Sequence, residues 1–191
     1  DDGWASVERY RDTNPGFLYQ QNTIRDALVA ASTFHIFHAH ADRVKMANIA
    51  QMVNVLQAMV LTDGPRMLTT PTYHAFELYT PHMDAAFVPC HADLGEHAGA
   101  TVSVRDGVHT VSLFNAHAVD ELPVSVVLPG TVSEVSDAQI LAGDAIDSHN
   151  TFDHLDAVAP RPFDDVTVDA SMLSLTLPPR AIATLRVRLT G

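Results

Sequence analysis

Cysteine is almost absent from this 191-residue chain, in which Cys90 is the single example. A lone thiol cannot form an internal disulfide, and such a composition is typical of proteins from a reducing compartment. Long apolar runs are also missing, since no stretch reaches the roughly 18 residues that a membrane-spanning helix needs. We therefore predict a cytoplasmic protein that does not span a membrane.

Basic residues are scarce as well. Lys and Arg total 11 against 23 Asp and Glu, which gives a formal net charge of -12. This excess of negative charge repels phosphate backbones and anionic lipid surfaces, so neither nucleic acid nor a membrane is an expected partner. The chain starts at Asp1 rather than at a methionine, and its first residues are not typical of a signal peptide. We expect further chain upstream.

The first 80 or so residues have a helical pattern interrupted by one strand. From Tyr19, apolar residues recur at three- and four-residue spacing, which predicts a helix over residues 19–40. Residues 44–50 are mostly apolar and bounded by polar residues, as in a buried parallel strand. A second helix is expected to follow and to end at residues 63–65, where glycine and proline terminate helices. A short third helix is predicted at residues 72–79.

From about residue 85 the pattern changes to short runs rich in valine, leucine and threonine, separated by turn signals such as Asp106-Gly107. This pattern predicts an antiparallel, jelly-roll-like β-sandwich. The intervening stretch 146–165 is too long for an ordinary connection and is expected to be an ordered excursion over the sandwich surface. The predicted strands are 100–105, 108–114, 124–128, 172–177 and 181–189.

The order of elements, α/β first and all-β second, divides the chain into residues 1–84 and residues 85–191. Two or three helices and one strand cannot form a layered α/β core by themselves. The first part must therefore either pack on the sandwich or complete a larger structure.

Several segments resemble bacterial α-L-arabinofuranosidases of glycoside hydrolase family 51. The best match is His-Ala-Asp-Arg-Val-Lys-Met-Ala-Asn-Ile-Ala-Gln at residues 40–51, which continues to residue 58. The similarity covers nearly the whole chain. Its other segments are residues 13–31, 71–79, 115–120, 149–152 and 177–180.

This resemblance implies that residues 1–84 are an α/β remnant, the last units of a (β/α)8 catalytic barrel, and that residues 85–191 are the C-terminal sandwich. It also implies hydrolysis of terminal α-L-arabinofuranosyl residues from arabinan, arabinoxylan or derived oligosaccharides. Such enzymes use a retaining mechanism with two carboxylates about 5 to 5.5 Å apart. No cofactor is implied, and the intact enzyme is expected to be a homo-oligomer.

The nucleophile of the family is the glutamate of an Asp-Glu-Trp motif. Counted back from the matching segment, Asp2 takes that position, although an aspartate is one methylene shorter. The acid/base glutamate, expected in an Asn-Glu pair, has no counterpart in these residues. The resemblance therefore implies that the chain by itself is inactive.

Gln51 is the position at which the family's matching glutamine hydrogen-bonds the arabinofuranose. Asn48 and Asn54 are weaker candidates, because an asparagine in a buried strand must find partners that can equally be backbone groups. A capping role for Gln51 on the next helix is the alternative.

Other clusters in the sequence indicate structural roles. His35, His38 and His40 lack the cysteine or carboxylate that would complete a metal site, so no metal is predicted. Ser112 and Ser148 lie outside any nucleophile-elbow motif.

Two alternatives remain open. The sandwich could be a non-catalytic accessory module that binds carbohydrate or mediates oligomerisation, although aromatic residues, at 7%, are few for such a role. A separate chain could also supply the missing barrel strands. In either case, apolar faces of the first helix left uncovered would promote association.

Overall fold

The structure, a computed structural model, describes residues 22–49, 52–55 and 58–190. Two α-helices and a short 3-10 helix precede most of the strands. No helix in these ranges is long and apolar enough to cross a membrane. The helices are α1 (Ile24–Ala39), α2 (Pro71–Tyr79) and the 3-10 helix Thr80–His82; the strands are β1 (Val60–Asp63), β2 (Arg66–Thr69), β3 (Ala86–Val88), β4 (Ala98–Arg105), β5 (Val108–Asn115), β6 (Leu122–Val127), β7 (Thr131–Ala142), β8 (Arg161–Pro162), β9 (Val166–Asp169), β10 (Met172–Leu177) and β11 (Ala181–Thr190).

The strands form two sheets that face each other and a separate hairpin. The larger sheet has the order β3-β4-β5-β11-β7-β8, the smaller one has the order β6-β10-β9, and all their pairings are antiparallel. Apolar residues from both sheets, including Val111, Leu173 and Leu185, form the core between them. The predicted antiparallel sandwich is confirmed.

The opposite face of the larger sheet is covered by the two helices. A second core joins Ile24 and Phe34 of α1 with Leu78 of α2 and Ile182 of β11. Residues of β11 thus alternate between the two cores, which explains why its first five residues are all buried. The described helical residues therefore pack on the sandwich.

Helix α1 begins later than predicted, at Ile24. The Thr23 backbone N–H donates to a carboxylate oxygen of Asp26 at 2.8 Å, as in a capping box. The N–H of Ile24 donates to the carbonyl of Ser148 at 2.9 Å. The long connection between β7 and β8 therefore satisfies a backbone donor that the helix itself leaves free.

The structure differs from two predictions for residues 44–69. Residues 44–49 have no regular secondary structure, and residues 60–63, where the second helix was expected to end, form strand β1 of the β1–β2 hairpin. A parallel strand needs neighbouring strands to hydrogen-bond, and within the described ranges none pairs with residues 44–49. Gly64, with φ of 57°, does not end a helix but makes the tight hairpin turn.

Strand β7 was not predicted, nor were the short strands β3, β8 and β9. Strand β7 is polar over residues 131–138, whose sequence is Thr-Val-Ser-Glu-Val-Ser-Asp-Ala, and most of these side chains are exposed. Two register irregularities also interrupt its pairing with β11. A polar, irregular strand carries little of the apolar alternation on which prediction depends. The five strands that were predicted correspond to β4, β5, β6, β10 and β11.

Candidate functional site

The candidate catalytic and sugar-binding residues lie in two regions of the chain. Asp2 precedes α1, and Asn48 and Gln51 lie between α1 and the β1–β2 hairpin. Asp2 and Gln51 lie outside the described residues, so their roles stay predictions. Asn48 is exposed in the irregular segment 44–49, and not inside a buried strand as expected. Its amide is therefore accessible to a ligand, and its role also stays a prediction.

Asn54 uses its side-chain amide within the chain. Its Oδ1 accepts from the Thr62 backbone N–H at 2.7 Å, and its Nδ2 donates to the Thr62 hydroxyl at 2.7 Å. Its φ of 55° is in the left-handed region, which asparagine tolerates better than most residues. These bonds give Asn54 a structural role in the connection between α1 and the hairpin. One of its two partners is a backbone group, the alternative considered in the sequence analysis.

The base of the hairpin is tied to both helices by buried polar side chains. The Ala58 carbonyl accepts from Nδ2 of Asn22, just before α1, at 2.7 Å. It also accepts from the hydroxyl of Thr70, the N-cap of α2, at 2.8 Å. These two bonds therefore fix the base of the β1–β2 hairpin relative to the starts of α1 and α2.

The β7–β8 connection supplies a further contact. Nδ2 of Asn150 donates to the carbonyl of Thr69, the last residue of β2, at 2.9 Å. The guanidinium carbon of Arg66 lies 4.7 Å from the centroid of the Phe152 ring. Sequence reasoning placed this connection over the sandwich surface and did not predict its contact with the hairpin.

Three histidines cluster between the helices and the larger sheet. Nε2 of His35 is 2.6 Å from the Tyr79 hydroxyl, and the His38 and His82 rings are 4.6 Å apart. His82 joins two serine hydroxyls of the sheet, with its Nδ1 2.8 Å from Ser103 and its Nε2 2.8 Å from Ser112. His35 and His38 thus share one face of α1.

Burial favours the neutral form of these imidazoles. Burial, and to a lesser extent the neighbouring histidines, lower the pKa of His35 and of His82 to about 3. The pKa of His38 is also lowered by burial. In the described ranges, no group of three or more His, Cys, Asp or Glu residues is arranged to hold a metal. Because Ser112 is fully buried, its bond to His82 is structural and does not present a nucleophile to substrate.

The helical side of the molecule exposes several large apolar side chains. Ile36 of α1 is 60% exposed, Met46 is 76% exposed, and Met83 is 63% exposed. Met46 and Met83 line a groove of about 640 Å³ together with Phe37, Phe76 and other mostly apolar residues. Such a surface is typical of a face that packs against further protein.

Comparison with known proteins shows which family has this sequence and architecture. The family model of the α-L-arabinofuranosidase C-terminal domain matches residues 2–181. An intracellular exo-α-L-arabinofuranosidase of Bacteroides ovatus is 37% identical over 92% of this chain, and the match covers 36% of that protein. An intracellular exo-α-(1→5)-L-arabinofuranosidase of Streptomyces lividans is 28% identical over 90% of this chain, which corresponds to 28% of that protein.

Solved structures agree with the sequence comparison. The family 51 arabinofuranosidase of Xanthomonas axonopodis pv. citri superimposes on 94% of this chain with a TM-score of 0.84 and 43% identity. The match covers 38% of that chain. The arabinofuranosidase of Thermotoga maritima, at 20% identity and a TM-score of 0.77, shares the fold. The chain therefore spans about a third of the length of its relatives, and it belongs to the α-L-arabinofuranosidase C-terminal domain family, as the C-terminal portion found in family 51 enzymes.

Proposed function

We propose that this chain is the C-terminal part of a retaining α-L-arabinofuranosidase. The intact enzyme would remove terminal α-L-arabinofuranosyl residues from arabinose-containing polysaccharides and oligosaccharides. The observation that carries the proposal is the 37% identity to the Bacteroides ovatus enzyme over 92% of this chain. The identity extends over both the helical part and the sandwich.

In this proposal residues 1–84 complete a (β/α)8 barrel and residues 85–191 are the sandwich beside it. The exposed Ile36 and Met46 support it, because upstream barrel units would cover them. Residues 44–50 would become a barrel strand once parallel neighbours are present. The connection from residue 50 to α2 would then be a loop at the C-terminal end of that strand, where barrel enzymes bind substrate.

Three residues of this chain are assigned roles in sugar hydrolysis. Gln51 hydrogen-bonds the bound arabinofuranose, and the exposed Asn48 is a second polar contact. Asp2 takes the position of the nucleophile. Retaining hydrolysis also needs a general acid/base about 5 to 5.5 Å from the nucleophile. That residue would come from an earlier barrel strand, so this chain by itself is expected to be inactive.

The proposal extends to where the enzyme works and with what. The name of the Bacteroides ovatus relative describes it as intracellular, which agrees with the single cysteine of this chain and supports a cytoplasmic enzyme. Its partner is an arabinose-containing glycan, and self-association into a homo-oligomer is expected for the intact protein. No cofactor, metal, nucleic acid or membrane enters the mechanism.

The sandwich has little that would suit an independent sugar-binding module. Stacking on a sugar face needs an exposed flat ring. The aromatic rings in the described part of the sandwich are all buried or half-buried, as for Phe114 and Phe163. The accessory-module alternative is therefore less well supported than the catalytic one.

The function can be tested with a protein in which this chain is linked to the upstream barrel that the proposal assigns to the intact enzyme. We expect the linked protein to hydrolyse an aryl α-L-arabinofuranoside and the isolated chain to show no turnover. Turnover by the isolated chain would contradict the assignment of the acid/base to the upstream part. No turnover by the linked protein would contradict the proposed function itself.

Substitution of Gln51 tests the substrate contact. In the linked protein, Gln51→Ala removes a hydrogen bond to the sugar and is expected to lower kcat/KM by at least about tenfold, the size of one lost bond to a polar group. Gln139→Ala, a matched change on β7 of the sandwich, is the control and should leave kcat/KM unchanged. Equal effects of the two substitutions would argue against a sugar contact.

A further inference from the structure

The connection between β7 and β8 reaches out of the sandwich and contacts the β1–β2 hairpin. Asn150, in this connection, is only 2% exposed. Its Nδ2 donates to the carbonyls of Thr69 and Val158, each at 2.9 Å, and its Oδ1 accepts from the Val158 N–H at 2.7 Å. Both donors of the amide and its acceptor are thus engaged, which fixes its orientation between sandwich and hairpin.

A second contact lies at the other end of the hairpin. The Arg66 guanidinium covers the Phe152 ring at 4.7 Å from its centroid, and Arg66 also pairs with Asp63 across the turn. The connection therefore holds the hairpin at the end of β2 and beside its tip. Two strands of four residues are marginally stable in water by themselves, so such external contacts decide where the hairpin lies.

The hairpin in turn holds the residues that precede it. The Val60 N–H donates to the Met52 carbonyl at 3.0 Å, and the Asn54 N–H donates to the Val60 carbonyl at 3.1 Å. The side chain of Asn54 makes two further bonds to Thr62. Residues 52–54 and the hairpin therefore form one hydrogen-bonded unit.

We propose that Asn150 and Phe152 are positioning residues, through which the sandwich holds residues 52–54 and the β1–β2 hairpin at the sugar-binding end of the barrel. The proposal rests on the proposed function, because there this unit is part of the loop between the last barrel strand and α2. Neither residue is assigned a contact with the sugar. They act through the hairpin, and they give the sandwich a role in substrate affinity in addition to stability.

Asn150→Asp tests the contact with little change in shape. An ionised aspartate keeps the acceptor for the Val158 N–H but loses both donors, so it cannot bond the Thr69 carbonyl. Asn115→Asp is the matched control, because Asn115 is also 2% exposed and also bonds backbone carbonyls and an N–H, but within the sandwich. Phe152→Ala and Phe152→Tyr test the second contact, since only tyrosine keeps an aromatic ring beneath Arg66.

Hydrogen exchange of backbone amides in this chain gives the first readout. Asn150→Asp is expected to speed exchange in residues 58–69 by roughly five- to hundredfold, as for a buried group left without its partner. Asn115→Asp should speed exchange in the sandwich and leave the hairpin unchanged. Unchanged hairpin exchange in Asn150→Asp, or an equal change in Asn115→Asp, would overturn the proposal.

Kinetics of the protein linked to its upstream barrel give the second readout. For an aryl arabinofuranoside, Asn150→Asp and Phe152→Ala are expected to raise KM several-fold more than they lower kcat, and Phe152→Tyr should restore KM. A purely stabilising role would predict the same KM as the parent at temperatures where all variants are folded, and that result would also overturn the proposal. If the parent has no activity, the proposed function fails, whereas hairpin exchange still decides whether Asn150 and Phe152 position the hairpin.

Discussion

Single buried hydroxyl and amide groups hold the helical part of the molecule in register with its neighbours. Thr70 is 1% exposed; its hydroxyl donates to the Ala58 carbonyl at 2.8 Å and accepts from the Tyr73 N–H at 3.3 Å. One side chain thus caps α2 and ties the helix to the base of the hairpin. Pro71, next to Thr70, is at the first helical position, where proline is favoured. The bond to Ala58, twelve residues away, was not predicted from the sequence.

Substitution of Thr70 separates shape from hydrogen bonding. Thr70→Val keeps the volume but leaves the Ala58 carbonyl and the Tyr73 N–H each with one partner fewer, so we expect a loss of about 1–3 kcal/mol in the free energy of unfolding. Thr70→Ser keeps the hydroxyl and should lose less than about 1 kcal/mol. Urea denaturation measures both. Thr167→Val on the exposed strand β9 is the control, and an equal loss there would contradict a specific role for Thr70.

At the scale of elements, the histidine cluster joins α1 and the 3-10 helix to the larger sheet. The groups that face it are Tyr79 of α2, the Thr101 and Ser103 hydroxyls of β4, and Ser112 of β5. None of these is a carboxylate that would stabilise an imidazolium. The cluster therefore requires neutral histidines, and burial raises the pKa of the Tyr79 hydroxyl, which also remains neutral.

Acid is expected to weaken the packing of the helices on the sheet. Above the pKa of an unfolded histidine, about 6.5, both states are neutral and the cluster adds no pH dependence. Below that value the unfolded chain binds protons that folded His35 and His82 do not bind until about pH 3. Each of these two groups should therefore reduce the free energy of unfolding by about 1.4 kcal/mol per pH unit between these limits.

Urea denaturation at a series of pH values from 8 to 5 measures how the free energy of unfolding depends on pH. All of these values lie above the lowered pKa values of His35 and His82. His35→Leu removes one titrating group and should reduce the slope below pH 6.5. His40→Leu, at the exposed end of α1, is the matched control for the loss of an imidazole outside the cluster. A slope unchanged in His35→Leu would contradict the role given to the cluster.

For the whole molecule, the helical layer has one face on the sandwich and another face open. Ile36 and Met46 are 60% and 76% exposed, and Met46 lines the groove together with Phe37 and Phe76. Burial of such side chains is favourable by roughly 1.5–3 kcal/mol each, so a chain that leaves them uncovered gains by association. The apolar positions on the first helix predicted this association from the sequence.

We therefore expect the isolated chain to self-associate through its helical side. Ile36→Lys and Met46→Lys should weaken association, because a charge on that face opposes burial. Val127→Lys, at a position 74% exposed on β6, makes the same change in net charge on the smaller sheet and should have no effect. Sedimentation velocity of the three variants and the parent checks this, and a parent that remains monomeric at all concentrations would contradict it.

Local signals in the sequence were sufficient to predict an antiparallel sandwich and the approximate positions of both helices. Valine- and leucine-rich runs predicted five of the strands, and Asp106-Gly107 predicted the turn between β4 and β5, where both residues have positive φ. These features depend on side-chain periodicity and turn chemistry within a few residues. The candidate site residues Asp2, Gln51 and Asn48 came instead from resemblance to a family, since nothing in their spacing points to sugar.

Only the tertiary structure decided the rest, because it depends on partners distant in sequence. The apolar residues up to residue 60 fit a helix, whereas residues 60–69 form a hairpin that is held by contacts with Asn54, Asn22 and Asn150. His82 pairs with serines 21 and 30 positions away. Residues 44–49 show the opposite case, since a sequence suited to a parallel strand stays irregular where no neighbouring strand is present in the described residues to accept its hydrogen bonds.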